Sequence, residues 1–285
     1  MKRKDECRIK CNAEKEFYSY LYEKECAELT IKKYCSDVQT FLNFLGEDRT
    51  VTKEKLLMYK EWLIQRYAVS SVNSMLAAIN QFLEYLGMGC WKVKRIRVQR
   101  QMFAQPEKEM TQAEYYRLVQ EAKSQNKVQL LLLIETMAGT GARVGELKFF
   151  TVERIKRGQI EIHLKGKYRR IMMPCDLKMK LLAFAAKNGI SSGPVFITKY
   201  GNPKDRSNIW SELKALGKKA NVSQKKVFPH NFRHLFARNY YKMTRDLSGL
   251  ADLLGHSSLE ITRIYAANSA KSYQRAINRM SVGNA

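Results

Sequence analysis

Residues 14–86 contain four stretches in which apolar side chains recur at the spacing of an α-helix, and short polar segments separate these stretches. In the fourth stretch Met75, Leu76, Ile79, Phe82 and Leu83 fall at i, i+1, i+4, i+7 and i+8, so they share one helix face. Helices joined by short connections cover their apolar faces against one another. The sequence therefore predicts an N-terminal bundle of four helices, preceded by charged, frayed residues 1–12. The predicted helix caps are Thr30, Thr52, and Ser70 or Ser71.

The pattern changes after residue 106, where helical stretches are mixed with short strands. Thr111 and Glu114 have the spacing of a capping box, and residues 128–137 are apolar nearly all round, as in a buried helix. Residues 159–164 alternate apolar and polar side chains, which predicts a strand. Further predicted elements are a turn at 165–168, strands at 170–173 and 195–198, and helices at 208–216, 230–243, 247–254 and from 259 onward. The predicted fold class is mainly α with a small antiparallel β-sheet in the C-terminal domain.

The balance of charge narrows the function. The chain has 51 Lys and Arg against 27 Asp and Glu, a formal net charge of +24, which is far more than solubility needs. Such an excess on a folded chain indicates a polyanionic partner, and nucleic acid is the commonest one. An anionic membrane surface is the competing partner. The sequence has no long apolar run, however, and no apolar stretch behind its charged N-terminus, so we expect neither a transmembrane helix nor a signal peptide.

The cysteines add no site of their own. The six of them are scattered, and no two have C-x-x-C spacing. This pattern favours neither a zinc site nor a disulfide framework. We therefore expect reduced thiols in a cytoplasmic protein that binds no metal.

A strongly basic stretch, which we interpret as a connection between domains, separates the two patterns. Between Lys92 and Arg100 five of nine residues are Lys or Arg, and the sequence stays polar to Pro106. A charge run is usually a solvated surface, but here it joins two parts of an already basic chain, so we favour contact with phosphates. The candidate DNA-binding residues are Lys92, Lys94, Arg95, Arg97 and Arg100. The predicted domains are residues 1–100 and 109–285, with a linker at 101–108.

Residues 228–265 concentrate side chains suited to phosphate chemistry, and three of the four histidines lie there. A proline near the start suits the first turn of a helix, which puts His230 and Arg233 three residues apart on one face. His230 and His234 also have the spacing of a metal pair, but a helical zinc-protease motif needs Glu at the position of Asn231. For His234 we therefore favour a hydrogen bond to the backbone.

A further helix in this segment carries a tyrosine. Gly255 predicts a helix end, and residues 257–260 have the S-x-x-E spacing of a capping box. The new helix carries Tyr265 about two turns on, nine residues after His256. A phenol ordinarily has a pKa of about 10 and becomes a nucleophile only where cations stabilise its anion. Most of the chain's tyrosines are packing residues, and it is the position beside His256 that makes Tyr265 a candidate.

Residues 139–146, Gly-Thr-Gly-Ala-Arg-Val-Gly-Glu, first suggest a dinucleotide-binding fingerprint. The glycine spacing is one residue too long, and the alternating βαβ units of that fold are missing from the pattern. We prefer a tight glycine turn that closes the buried helix. In either arrangement Arg143 lies next to flexible backbone, where a guanidinium can hold an anion through two hydrogen bonds.

Taken together, these segments resemble the tyrosine recombinases of the phage-integrase and Xer type over nearly the whole chain. The matching segments are residues 139–147, Lys165-Gly166, residues 230–234, and Leu254-Gly255-His256 with Tyr265. The catalytic residues that the resemblance implies are Arg143, Lys165, His230, Arg233, His256 and Tyr265. Lys167 is an alternative to Lys165, which we choose because it precedes the glycine as in the family pattern.

The resemblance also implies a fold, a reaction and partners. The fold would be an N-terminal core-binding bundle and a mixed α+β catalytic domain that form a C-shaped clamp. The reaction would be site-specific recombination through a 3′-phosphotyrosyl intermediate, for example to integrate or excise a mobile element, with no cofactor and no metal. The partner would be double-stranded DNA with an inverted-repeat core site, bound by a homotetramer on two sites; without DNA the protein would be a monomer or weak oligomer. A type IB topoisomerase and a catalytically idle DNA-binding protein of the same fold are the alternatives.

The C-terminal tail shows one more pattern. An apolar stripe runs along a short predicted helix through Ala270, Tyr273, Ile277 and Met280. A helix of about three turns is too short to be stable alone in water, so it must dock. It could dock on its own domain or, as the resemblance implies, on a neighbouring subunit.

Overall fold

Four helices build the N-terminal part of the protein, and the predicted bundle is confirmed. The computed structural model describes residues 6–10, 12–97, 106–164, 167–256, 258–265 and 278. The chain divides into two compact units, Met1–Arg100 and Gln101–Ala285. The helices of the first unit are α1 (Ala13–Glu23), α2 (Glu28–Leu45), α3 (Lys53–Arg66) and α4 (Val69–Tyr85). Phe17, Phe41 and Phe82 are fully buried in its core.

The residues before α1 are part of the fold of this unit. Strand β1 (Cys7–Arg8) pairs antiparallel with β2 (Thr50–Val51), which lies between α2 and α3 in the chain. Ile9 is buried in the bundle core. The expectation that residues 1–12 are frayed is therefore wrong for residues 7–9, because strand pairing and one buried isoleucine hold them.

The starts of the helices test the predicted caps. Thr52 precedes α3 and accepts a hydrogen bond from the backbone N–H three residues on, as predicted. α2 and α4 each begin after an alanine, so the predicted caps Thr30 and Ser70 or Ser71 lie inside the first turn and those predictions are wrong. Packing holds the first turn of these helices instead of a cap, as the buried Ile31 of α2 shows.

The basic residues after α4 are bound along the bundle; we call residues 92–97 the basic strap. Asn80 on α4 exchanges two hydrogen bonds with the backbone of Val93, of 2.8 and 2.9 Å. Asn73, two turns earlier, exchanges two of the same lengths with the backbone of Ile96, 2.8 and 2.9 Å. Val93 is itself buried. Our interpretation of the whole basic stretch as a connection therefore needs correcting, because the strap packs on the first unit.

The second unit is mainly helical, and its described residues contain one β-hairpin. Its elements are α5 (Gln112–Ser124), α6 (Val128–Thr140), α7 (Val152–Arg157), β3 (Gln159–Leu164), β4 (Lys167–Met172), α8 (Cys175–Lys187), α9 (Arg206–Lys219), α10 (Pro229–Thr244), α11 (Leu247–Leu254) and α12 (Leu259–Thr262). Thr111 and Glu114 form the predicted capping box at the start of α5. α6 is the buried helix of the core, with Leu133, Ile134 and Met137 fully covered. The predicted fold class is confirmed.

Several details of this unit differ from the sequence prediction. β4 begins three residues before the predicted start at Arg170, and Leu164 pairs with Lys167 across the hairpin. Residues 195–198 form no strand; an isolated bridge between Ile197 and Pro203 is the pairing there, since proline lacks the N–H that a ladder needs. α7 and α8 were not predicted. The buried Leu177, Leu181 and Ala185 of α8 recur every four residues, a pattern that the sequence does contain.

Three further expectations can be compared with the described residues. No helix in the described ranges is long and apolar enough to cross a membrane. The described cysteines are free thiols: Cys7, Cys26, Cys35, Cys90 and Cys175. The predicted tail helix lies outside the described residues, apart from residue 278.

Candidate active site

α6 ends in a glycine turn, as predicted. Gly141 has a φ of 64°, and a Cβ on it would lie 2.6 Å from the ring of Phe236 and 3.0 Å from Leu254. Only glycine fits both the conformation and the space. A 3₁₀-helix follows at Val144–Phe149, so the segment is a helix, a turn and a helix rather than the strand, turn and helix of a dinucleotide site. The turn places Arg143 at the edge of this junction.

Arg143 is held by the carboxylate of Glu146. The backbone N–H of Arg143 donates to Oε2 at 2.7 Å, and its Nη1 donates to Oε1 at 2.8 Å. Its Nη2 lies 3.4 Å from the carbonyl oxygen of Gly255. The carboxylate is buried, whereas the Arg143 side chain is 40% exposed. Glu146 therefore fixes a guanidinium that still faces solvent.

Arg169 on β4 joins this cluster, although it was not among the predicted site residues. The side chain is buried, forms an ion pair with Glu146, and donates to the carbonyl oxygen of Leu253 from Nε at 3.2 Å and from Nη2 at 3.0 Å. It shares the buried hairpin face with Ile171 and lies opposite Ile162. Strand alternation could have found it, because a strand that starts at residue 167 puts Arg169 and Ile171 on one face.

Glu146 supplies the buried carboxylate of this arginine cluster. Burial alone would raise the pKa of its carboxyl group. The charge of Arg169 and the hydrogen bonds donated by Arg143 and Arg169 outweigh burial, so the pKa lies below its ordinary value. Glu146 is thus ionised at neutral pH, and its charge is shared between two guanidinium groups.

Arg233 on α10 is fully buried. Its Nη1 donates to the carbonyl oxygen of Gly141 at 2.5 Å, and its Nη2 donates to that of Leu254 at 2.6 Å. These carbonyls lie at the C-terminal ends of α6 and α11, where the helix dipole concentrates partial negative charge. Two helix ends therefore stabilise one buried cation. Its Nε is buried without a hydrogen-bond partner among the described residues.

The site carries an excess of positive charge. Burial, followed by the charges of Arg169 and Arg143, lowers the pKa of Arg233 to about 9, so it remains charged at neutral pH. Three guanidinium groups, those of Arg143, Arg169 and Arg233, lie around the carboxylate of Glu146, and Arg170, Arg206 and Asp252 line a cleft beside them. Arg143, Arg169 and His256 line the same cleft, which has a volume of about 950 Å³. A cationic cleft with a buried unpaired donor beside it suits an anion such as phosphate.

A larger cleft lies elsewhere on the second unit. It has a volume of about 1410 Å³ and is lined mainly by residues of α6, α8 and α9. None of the predicted catalytic residues that the structure describes lines it. The chemistry of the candidate residues therefore belongs to the smaller cleft.

His256 connects Arg233 to the helix of Tyr265. Its Nε2 lies 3.2 Å from Nη2 of Arg233, and its Nδ1 lies 2.9 Å from the hydroxyl of the buried Thr262 on α12. Burial and the positive charges around it, first that of Arg233, lower the pKa of His256 to about 4. The imidazole is therefore neutral at pH 7, and both of its nitrogens are engaged.

Tyr265 ends the 3₁₀-helix Arg263–Tyr265 that follows α12. Its half-buried hydroxyl lies 2.7 Å from Nδ1 of His234. The expectation that His234 bonds the backbone is therefore wrong. Burial raises the pKa of the Tyr265 phenol, although the charges of Arg233, Arg238 and Arg143 oppose the shift. Burial and nearby positive charge lower the pKa of His234 to about 4, so its neutral ring can accept a hydrogen bond from the phenol.

Two predicted catalytic residues stand apart from these contacts. His230 is exposed one helical turn before His234, and their rings meet edge to face with centroids 4.6 Å apart. Partial burial of the ring and the charges of Arg233 and Arg143 lower the pKa of His230.

Lys165 lies outside the described residues, as does Ser257 of the predicted capping box. Ser258 caps α12 instead, accepting from the N–H of Glu260.

The predicted DNA-binding residues of the strap are not equivalent. Lys94, Arg95 and Arg97 are exposed. Lys92 forms an ion pair with Glu84 at 2.6 Å, which partly neutralises it. Arg100 lies outside the described residues. The backbone contacts of the asparagines thus hold three exposed cations on the surface of the first unit.

The sequence matches a known protein family in both units of the chain. The phage integrase family matches residues 108–272, more than half of the chain, and the N-terminal SAM-like domain of phage integrases matches residues 15–87. The chain belongs to the phage integrase family. Members of this family are tyrosine recombinases, enzymes of DNA strand cleavage and transfer, and the protein is a site-specific tyrosine recombinase. The topoisomerase and the idle DNA-binding protein are not favoured.

Individual relatives resemble the recombinase over most of its length. Tyrosine recombinase XerA of Pyrococcus furiosus is 27% identical over 275 residues, which cover 94% of this chain and 93% of the relative. The solved XerH recombinase bound to its difH substrate has a TM-score of 0.69 and 17% identity, over 93% of this chain and 85% of that one. A lambda integrase tetramer bound to a Holliday junction has a TM-score of 0.70 and 17% identity, over 89% and 76%. At such identities the solved structures show the shared fold.

Proposed function

We propose that the recombinase cuts a DNA strand by attack of the Tyr265 hydroxyl on a phosphate. The attack forms a 3′-phosphotyrosyl bond and frees a 5′-hydroxyl, and the reverse reaction joins strands. The observation that carries the proposal is the position of the phenol. Its hydroxyl is held by the residue next to Arg233, within the field of Arg233 and Arg143. Positive charge there stabilises both the phenolate and the transition state.

Arg143 and Arg233 would hold the non-bridging oxygens of the phosphate. Arg143 offers a guanidinium that is fixed by Glu146 and still 40% exposed. Arg233 offers a buried Nε that has no partner among the described residues, and a buried donor of this kind is stabilised when an acceptor arrives. Glu146 holds the Arg143 guanidinium before the phosphate binds, so that group needs little reorganisation in the transition state.

The remaining roles concern protons. Lys165, in the connection between β3 and β4, would protonate the leaving 5′-oxygen, and His256 would contact the phosphate from its place between Arg233 and Thr262. The resemblance to tyrosine recombinases implies that His230 handles the tyrosine proton. His230 would have to act through His234, because His234 holds the hydroxyl. The covalent bond conserves the energy of the phosphodiester, so the scheme uses no cofactor.

The assembly would be a tetramer on two DNA sites. The related lambda integrase forms a tetramer on a Holliday junction, and the related XerH was solved on its difH substrate. By analogy we propose double-stranded DNA with an inverted-repeat core site as the substrate, and a monomer or weak oligomer without DNA. We also propose that the protein acts in the cytoplasm, as expected from the sequence.

The proposed function is tested by trapping the covalent intermediate between the protein and DNA. DNA that flanks the coding region would be footprinted to find the site, and a nicked version of that site would trap the covalent adduct. Two-site recombination then tests strand exchange between partners. Adduct formation with relaxation of supercoils but no exchange between sites would contradict the recombinase and favour a topoisomerase.

The basic strap should contribute directly to DNA affinity. We expect the triple substitution of Lys94, Arg95 and Arg97 to Gln to weaken binding and to flatten its salt dependence, by about 0.9 in the slope of log K for each phosphate that is no longer neutralised. Lys92→Gln is the matched control, since Glu84 already pairs with that lysine, and it should change the slope less. Fluorescence anisotropy over a series of salt concentrations measures both. An unchanged slope in the triple variant would show that the cations of the strap face solvent and do not contact DNA.

The tail should couple cleavage to assembly. We expect truncation after residue 267 to leave binding to a single half-site intact, and to lower cooperative binding and cleavage together, because the predicted apolar stripe would dock on a neighbouring subunit. Gel-shift titrations on half-sites and full sites measure this. A melting temperature that falls with truncation, together with weaker half-site binding, would instead indicate docking on the tail's own domain.

A further inference from the structure

The hydrogen bond between Tyr265 and His234 is not explained by the six predicted catalytic residues. The phenol hydroxyl and Nδ1 of His234 are 2.7 Å apart, a short hydrogen bond between the proposed nucleophile and a candidate base. The ring of Tyr265 also packs on the apolar cluster of Ala237, Leu250 and Leu254, so the hydroxyl has a defined direction. This geometry meets the first requirement for a general base, which is hydrogen-bond reach of the proton that it removes.

The anchoring of Arg233 helps to position His234, the next residue on α10. Arg233 is bound to the carbonyl oxygens of Gly141 and Leu254, which sets the position of α10 against α6 and α11. The next residue along α10 therefore has a set position. His230, by contrast, is exposed and reaches the ring of His234 through an edge-to-face contact. Of the two histidines, His234 is the one hydrogen-bonded to the reacting oxygen.

We propose that His234 is a catalytic residue, whose Nδ1 takes the proton of the Tyr265 hydroxyl as the oxygen attacks the phosphate. The inference rests on the proposed function and names a residue outside its set. The O–H bond of Tyr265 breaks and an N–H bond forms on His234, while the bond from phenol oxygen to phosphorus forms and the bond from phosphorus to the 5′-oxygen breaks. The 5′-oxygen takes its proton from Lys165. In the rejoining step His234 returns its proton to the phenol.

The electrostatics of the site without DNA indicate how the base is controlled. The charged and titratable groups around His234 and Tyr265 are His230, Arg233, Arg238, Arg143, His256 and Glu109. Most of them are cations, and they disfavour a protonated His234 when no DNA is bound. A bound phosphate brings compensating negative charge. The base therefore becomes effective when the scissile phosphate is in the site.

The test measures single-turnover adduct formation on a nicked site with wild type, His234→Asn, His234→Ala and Lys165→Ala. Asn keeps a polar acceptor near the position of Nδ1 but takes no proton at neutral pH. We expect both His234 variants to bind the site normally and to form adduct about 10²-fold more slowly, the lower end of a general-base contribution. A rate restored by Asn would show that the hydrogen bond only positions the phenol, and would overturn the proposal.

A second substrate separates the two proton transfers. A 5′-bridging phosphorothiolate leaves as a thiolate and needs no proton, so it should restore most of the rate of Lys165→Ala but not that of His234→Asn. Raising the pH should narrow the gap between His234→Asn and wild type, because phenolate then forms without a base. Recovery of His234→Asn on the sulfur substrate would place His234 on the leaving group instead and overturn the proposal. Absence of any wild-type adduct on either substrate would overturn the proposed function itself, and this inference with it.

Discussion

Tyr265→Phe is expected to bind the recombination site as wild type does and to form no covalent adduct, a loss of roughly 10⁴-fold or more as for other removed nucleophiles. The change deletes one oxygen and keeps the ring in its cluster with Ala237, Leu250 and Leu254. It costs a single hydrogen bond, to His234, which contributes on the order of 1 kcal/mol to stability. The variant should therefore remain folded but lose DNA cleavage.

Denaturing gels of a nicked substrate measure the adduct directly. Tyr240→Phe is the matched control, since Tyr240 packs on the same apolar cluster and has no proposed chemical role. Its adduct should form at the wild-type rate. An adduct that persists in Tyr265→Phe would remove Tyr265 from the role of nucleophile.

Arg233→Ala and Arg143→Ala should each slow cleavage by about 10²-fold or more, as when an oxyanion donor is lost. They should differ in stability. Arg233→Ala removes the donor to the buried carbonyl of Leu254 and leaves that of Gly141 with only the 3.4 Å contact from Nη2 of Arg169, at about 1–3 kcal/mol for each carbonyl left without a good donor, partly offset by relief of repulsion from Arg169 and Arg143. Arg143 is 40% exposed, and Glu146 keeps its pair with Arg169 when Arg143 is removed.

The two arginine variants are best compared by single-turnover cleavage and thermal melting side by side. We expect a clearly lower melting temperature for Arg233→Ala and little change for Arg143→Ala. Arg233→Lys is the control for charge, because lysine keeps the cation but cannot bridge two carbonyls with a planar fork. Near-normal cleavage by either alanine variant would refute the two-arginine clamp.

Local spacing explains why much of the site could be predicted. Gly141, Arg143, Arg233 and Tyr265 belong to short motifs whose geometry depends on neighbours in the chain, such as a glycine turn or a helix face. The four-helix bundle follows in the same way from apolar periodicity, since each helix shows its buried face in its own sequence. Packing then needed only to bring these pieces together.

The residues that escaped prediction depend on distant partners. Arg169 acquires its role from a carbonyl 84 residues away, and His234 from a phenol 31 residues away. Without knowledge of those partners, a basic residue on a strand and a histidine on a helix would each be predicted to face solvent. Asn73 and Asn80 are a similar case, because nothing in the sequence of α4 predicts that they bind the backbone of the basic strap.

The anchoring of Arg233 also determines when, during folding, the enzyme acquires its DNA-cleaving activity. The hydrogen bonds that build the cationic cluster join residues 92 and 112 positions apart, from Arg233 to Gly141 and from Arg143 to Gly255. Pairings of such high sequence separation form late, since a long loop must close before they gain anything. A chain that has not yet folded α11 lacks the carbonyl of Leu254, one of the two acceptors that hold Arg233. Strand cleavage therefore requires that α6, α10 and α11 have already packed together, which delays it until late in folding.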